Sequence, residues 1–133
     1  MKLLQQIDKS YIPKISSQVN LSDYCDKLIS KATVFVANIN KKDVGLLAIY
    51  LNNIEAKTAF ISSIGVLTEY RKYKVGQLLI ELAITHTKNK EFYSISLEVN
   101  RQNIRAIRFY EKNNFVINQA SIDNESFYMT RRI

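Results

Sequence analysis

The apolar residues of this chain change period at Val75. Ahead of it, Thr58 to Val66 (TAFISSIGV) is an aliphatic and β-branched run of strand type. From Val75 onward, Val75, Leu78, Leu79, Leu82 and Ala83 fall on one stripe at helical spacing as far as about Lys88. Then Tyr93 to Val99 (YSISLEV) alternates, which sends Tyr93, Ile95, Leu97 and Val99 to one face and Ser94, Ser96 and Glu98 to the other. A strand, a helix and a strand in succession make a β-α-β unit. Its crossover is right-handed, so the two strands lie side by side and parallel. Ligands of such sheets sit where strands end and helices begin.

The flanking segments extend this unit into one sheet. Leu21, Tyr24, Cys25, Leu28 and Ile29 recur at i, i+3, i+4, i+7 and i+8, which predicts a helix over about 20–31 with Asn20 or Ser22 as its cap. Two strand-like runs follow, Thr33 to Asn38 and Val44 to Leu51, joined by the turn-prone Asn40-Lys41-Lys42-Asp43. With Thr58 to Val66 they form a three-stranded antiparallel meander. A helical segment over about 101–113 and two strands, Phe115 to Asn118 and Ser126 to Arg132, complete the chain. No repeat or linker interrupts the order, so residues 1–133 read as one α/β (α+β) domain.

Composition narrows the function. Of 133 residues 47% are hydrophobic, and with only three Gly and one Pro neither disorder nor a low-complexity linker is indicated. The single Cys25 cannot form an internal disulfide, and no Cys or His spacing suggests a metal site, so the expectation is a reducing, cytoplasmic compartment and no metal. The N-terminal MKLLQQIDKS is polar within five positions and no apolar run reaches the ~20 residues of a membrane span, so neither a leader nor a transmembrane helix is expected. Nineteen Lys+Arg against twelve Asp+Glu give a net charge of +7. That field draws anions: nucleic acid, an acidic membrane or a polyanionic small molecule. The charges are spread along the chain, and a merely solubilising surface fits them equally well.

Two segments carry chemistry. In the first, Val66-Leu67-Thr68-Glu69-Tyr70-Arg71-Lys72-Tyr73-Lys74-Val75-Gly76-Gln77, the chain leaves a strand, crosses a basic loop and enters a helix, so free amides and the positive end of the helix dipole converge on one point. Gly76, disfavoured in a helix by about 1 kcal/mol relative to Ala, would let an anion reach the main chain. Read on their own, these residues fit an ordinary exposed loop as well. In the second, Asn103, Ala106 and Tyr110 are spaced three and four apart, so a helix puts an amide, a small residue and a phenol on one stripe. That stripe suits a slender ligand, and Phe109 and Tyr110 equally suit aromatics closing the helix onto the sheet.

The pattern V-x-x-x-x-R-x-x-x-V-G-x-x-L-L resembles the acetyl-CoA-binding motif of the GNAT N-acetyltransferase superfamily, with Arg71, Val75 and Gly76 matching and Lys74 standing where the family has its first glycine. L-E-V-x-x-x-N-x-x-A-x-x-F-Y-E-x-x-N-F, from Leu97 to Phe115, resembles the second signature of that superfamily, with Asn114 in place of the usual glycine. Asn is the non-Gly residue most at ease with positive φ at a helix end. The resemblance implies a mixed, mostly antiparallel sheet whose central parallel strands splay apart, with helices flanking it. It implies acetyl-CoA as acyl donor, with the main chain of Ile64, Gly65 and Val66 on the pantetheine. Arg71, Lys72, Tyr73 and Lys74, followed by Val75, Gly76 and Gln77, would lie at the pyrophosphate. Asn103 and Ala106 would flank the pantetheine arm, and Lys72, Lys74 or Arg105 would meet the 3′-phosphate. Tyr110 would protonate the departing thiolate, and Glu98, in a partly buried position, would deprotonate the amine. Glu69 and His86 are secondary candidates for that base.

The leading expectation is therefore an acetyl-CoA-dependent N-acetyltransferase acting on a primary amine, either a small molecule or a peptide N-terminus. A GNAT-like domain that binds acyl-CoA without catalysis is the alternative, and a basic nucleic-acid-binding module is a weaker third. The acceptor carries no readable motif; the first helix, the loop after Leu51 and the hairpin from Asn118 to Glu125 would shape it. A monomer or a homodimer is expected, with the final strand, ending in Thr130-Arg131-Arg132-Ile133, available to pair across a dimer.

Overall fold

The structure is a computed structural model describing residues 2–8 and 20–133. Lys9 and Ser10, the end of the decapeptide on which the leader argument rests, lie outside the described residues. The order is α1 (Lys2–Asp8), α2 (Leu21–Lys31), β1 (Thr33–Ile39), β2 (Lys42–Asn53), β3 (Thr58–Val66), a 3₁₀ turn (Thr68–Tyr73), α3 (Val75–Asn89), β4 (Ser94–Asn100), α4 (Ile104–Lys112), β5 (Val116–Ala120) and β6 (Ser126–Arg132). The six strands form one sheet in the order β1-β2-β3-β4-β6-β5. Only β3 and β4 run parallel.

The meander and the β-α-β crossover stand as the periodicity requires, because β2 and β3 are aliphatic enough to be covered from both sides. Val44, Leu46, Leu47, Ala48 and Ile49 are all buried. Asn20 caps α2 by accepting from the Asp23 amide at 3.0 Å. Helix α1, seven residues with Leu4 and Ile7 buried, is too short for its apolar spacing to be recognised in the sequence.

Four expectations are corrected. Helix α3 buries Val75, Leu79, Ile80, Ala83, Ile84 and Thr87, while Leu78 and Leu82 face solvent. The inward stripe is turned toward Ile80 and Ile84, since two adjacent apolar stripes compete on this helix and the sheet takes the one with the β-branched pair. Tyr93 precedes β4 and is exposed; its amide closes the turn onto the Lys57 carbonyl at 2.8 Å, so the alternation begins only at Ser94. The final strand β6 is not an edge over most of its length: β4 pairs with it on one side, and β5 pairs with Phe127 to Thr130 on the other. Helix α4 also starts later than the expected 101. Asn100 accepts from the Gln102 amide at 2.8 Å, a local turn that delays α4 to Ile104.

The feature that creates a site is the end of one ladder. Strands β3 and β4 pair from Thr58↔Ser94 to Ile61↔Leu97 and no further, although β3 continues to Val66 and β4 to Asn100. Opposite β2, Ala48 faces Ser63 and Ile49 faces Ile61, so Ser62 is an extra residue in β3. A bulge bends its strand. Here it bends β3 away from β4 at the residue after their last pair.

Candidate functional site

The divergence of β3 and β4 opens a cavity of about 530 Å³. Ile64, Gly65 and Val66 wall it on one side, and Glu98, Val99 and Asn100 on the other. Arg71, Lys74, Gly76 and Gln77 form one end, where α3 begins, and α4 closes it with Asn103, Ala106, Phe109 and Tyr110.

At the α3 end the backbone is arranged by one residue. Lys74 adopts the left-handed conformation (φ 59°, ψ 31°), which ends the 3₁₀ turn and starts the helix. Its own amide turns inward to the Arg71 carbonyl at 3.3 Å, so it is spent on the turn and not offered to a ligand. The amides of Val75, Gly76 and Gln77 have no helical acceptor before them and remain as donors. A Cβ on Gly76 would lie 3.3 Å from Phe109 Cζ, so the glycine lets α3 approach α4. Gln77 Nε2 donates to Asn113 Oδ1 at 2.8 Å and ties the same two helices. Beside these donors stands Arg71, whose pKa is lowered from its ordinary value by burial and, next, by the charge of Arg105. Both remain cationic, and two guanidinium groups at one mouth suit a polyanion.

On the α4 side Tyr110 is buried among protein atoms, its ring 5.7 Å from that of Phe109 and 5.9 Å from that of Phe115. Burial holds the phenol well above its ordinary pKa, with the Arg105 charge pulling partly the other way. The hydroxyl is therefore a protonated donor throughout the neutral range. Asn103 caps α4, its Oδ1 accepting from the Ala106 amide at 3.3 Å, which leaves the Nδ2 donor for other use.

The cavity thus gathers Ile64, Gly65, Val66, Arg71, Lys74 and Gly76, with Gln77, Glu98, Asn103, Ala106 and Tyr110. It does not gather the side chains of Lys72, Tyr73 or Val75. Lys72 Nζ lies 5.3 Å above the Tyr73 ring in solvent, and Val75 is buried beneath Gly45. Glu98 is exposed, not partly buried, and it follows the last β3–β4 pair, where β3 no longer runs beside β4. His86 lies away from the cavity, edge-on to Phe35 at 5.6 Å, and Glu69 is exposed on the 3₁₀ turn. Sequence reasoning did not assign Phe109 or Lys112 to the site. Phe109 reads as a core aromatic, and the one signal for Lys112 is its place two helical turns after Arg105, on the same stripe.

This arrangement matches known proteins. Residues 2–115 fit the family model described as Acetyltransferase (GNAT) family. The chain is 35% identical over 80 residues to N-alpha-acetyltransferase 60 of Xenopus tropicalis, covering 58% of this chain and 33% of that protein. It is 41% identical over 59 residues to streptothricin acetyltransferase A of Bacillus subtilis, covering 44% of this chain and 34% of that one. The chain thus spans about a third of the length of the curated relatives it matches. In fold it is similar to the crystal structure of PaiA N-acetyltransferase from Thermoplasma acidophilum in complex with coenzyme A, with a TM-score of 0.79 at 20% identity over 99% of this chain and 89% of that one. With its family model covering most of its length and both signatures walling one cavity, the chain belongs to the GNAT acetyltransferase family.

Proposed function

We propose that this chain transfers an acetyl group from acetyl-CoA to a primary amine by direct attack of the amine on the thioester. The observation that carries the reading is the β3–β4 gap with its two chemically different ends. One end offers free amides from Val75 to Gln77 beside Arg71 and Arg105, which fits a diphosphate; the other offers the buried hydroxyl of Tyr110. Between them, β3 from Ile64 to Val66 runs along the cavity beyond its last pair with β4 and would lie against a pantetheine arm, with Asn103 of α4 lining the same cavity. The coenzyme found in a structural neighbour supports the same reading.

Protons balance as follows. The acceptor ammonium loses one proton before attack, and its nitrogen loses a second as the C–N bond forms. The C–S bond breaks, and the sulfur takes one proton from Tyr110, which is restored from solvent. Glu98, at the rim of the gap on the side from which an amine can enter, takes up the proton released before attack. Being exposed, it passes that proton to water at once.

Calorimetry with acetyl-CoA, followed by measurement of free thiol with a panel of primary amines, tests this. Heat of binding with amine-dependent thiol release is expected. Absence of heat overturns the reading, and heat without thiol release from any amine leaves a binding domain in its place.

A further inference from the structure

The two ends of the cavity stand on different helices. The free amides of Val75, Gly76 and Gln77 open α3, and the Tyr110 hydroxyl belongs to α4. A ligand gripped at the first end reacts at the second only if the two are held at the right separation. The parallel strands do not set that distance, because their ladder ends at Ile61↔Leu97 and the site lies beyond it.

A buried asparagine does. Asn113, the C-cap of α4, is only 5% exposed and is bonded to three elements. Its Oδ1 accepts from Gln77 Nε2 of α3 at 2.8 Å, and its Nδ2 donates to the Phe109 carbonyl at 3.0 Å. Its carbonyl accepts from Arg131 Nη1 of β6 at 2.9 Å, and its amide donates to the Tyr110 carbonyl at 3.0 Å. Every polar group of the residue is engaged. The Gln77 side chain is steadied from a second side, since the same nitrogen donates to Glu81 Oε1 at 3.3 Å.

We infer that Gln77 and Asn113 form a strut that fixes the separation between the amides at the start of α3 and the Tyr110 hydroxyl, with Arg131 as its footing on the sheet; all three are positioning residues for the transfer. Gln77 serves both ends, because its main-chain amide is one of the donors at the cavity while its side chain reaches α4. Tyr110 precedes Asn113 by three residues, less than one helical turn, so a shift of the strut carries the phenol with it. Arg131 suits the footing. A cation is favoured at the carbonyl end of a helix, and Arg131 pairs with Ile95, which lies where β3 and β4 are still joined. A misplacement of about 1 Å is enough to cost a reaction about 10²-fold in rate.

The inference rests on the acetyl-transfer reading, and the experiment separates the two. Thiol release from saturating acetyl-CoA is measured with hydroxylamine and corrected for the rate without protein. Hydroxylamine is small and largely uncharged at neutral pH, so it needs no base and the readout falls on the departing sulfur. The Kd for acetyl-CoA is measured by calorimetry, and urea titration confirms that each variant is folded under the assay conditions. Gln77→Met should lower the maximal rate about tenfold, and Arg131→Met, at a residue that does not line the cavity, at least threefold, each with Kd changed less than twofold. In a Tyr110→Phe background Gln77→Met should lower the rate less than twofold, because the strut acts through the phenol it places. An unaltered rate in Gln77→Met, equal losses with and without the phenol, or a rise in Kd as large as the fall in rate would each overturn the strut while leaving the transfer reading intact. No heat with acetyl-CoA, or no release above the protein-free rate in the wild type, would strike the transfer reading and the strut with it.

Discussion

The hydroxyl of Tyr24 on α2 meets Ser62 twice, donating to its carbonyl at 3.1 Å and sharing a hydrogen bond with its Oγ at 2.7 Å. Ser62 is the bulged residue at which β3 leaves β4, so a side chain from the opposite layer is fastened to the hinge of the gap. The contact takes up a carbonyl that the bulge withdraws from the sheet ladder. Tyr24→Phe removes both bonds and leaves that carbonyl to water, which should lower stability by about 1–2 kcal/mol in urea unfolding. It should also raise KM for the amine while leaving Kd for acetyl-CoA unaltered. A stability loss with no change in amine KM would separate Tyr24 from the acceptor side of the gap.

Lys74 holds a backbone conformation that costs an L-residue roughly 1–2 kcal/mol. Glycine escapes that cost but loses more chain entropy on folding, about 0.5–1 kcal/mol. Lys74→Gly should therefore raise the free energy of unfolding by up to about 1 kcal/mol. Lys74→Ala, which also removes the charge but keeps a Cβ, should bring no gain. The urea midpoints of the two variants decide whether the backbone or the ammonium is responsible.

What the sequence discloses here follows from what each signal measures. The change of period at Val75 places a crossover helix between two strands, and that alone fixes the parallel pair, because handedness leaves one arrangement. Which side of α3 faces inward is not contained in the same signal: Leu78 and Leu82 are as apolar as Ile80 and Ile84, and the helix buries the stripe that holds the β-branched pair. The two motifs locate the cavity because they sit at the ends of β3 and β4, where the ladder stops. Gly45 shows what escapes a reading along the chain. A Cβ there would lie 3.0 Å from Val75 Cγ1 and 3.2 Å from the Gly65 carbonyl, a constraint from residues far away in sequence. The exposure of Glu98 likewise goes with the point at which the β3–β4 ladder stops, which no local pattern announces.

Tyr110→Phe tests the proton donor. The ring packs against Phe109 and Phe115 and the hydroxyl has no hydrogen-bond partner among the described residues, so the fold should barely notice the change. Turnover should fall about 10²-fold or more, with the Kd for acetyl-CoA changed less than about twofold. Because burial raises the phenol pKa, the donor stays protonated well into alkaline solution. Any fall in wild-type activity below about pH 10 must then belong to another group, and the same fall should persist in the Phe variant. Unaltered turnover in that variant would remove Tyr110 from the chemistry.

His86 gives the fold a pH dependence of definite sign. Burial, and next the charge of Lys90, lower its pKa below the ordinary 6.5 in the folded protein. As pH falls through that value, the unfolded chain takes up the proton first, so the unfolded state binds more protons and is favoured. The stabilisation from a neutral His86 against Phe35 is complete above about pH 6.5 and declines as pH drops toward the lower, folded value. Carboxylates also begin to titrate in acid, so the comparison must be with a variant that lacks the imidazole. Urea midpoints of the wild type and of His86→Gln, measured at pH 7.5 and 5.5, should show the wild type losing more stability between the two. Equal losses would mean that the ring accepts its proton as readily when folded as when unfolded.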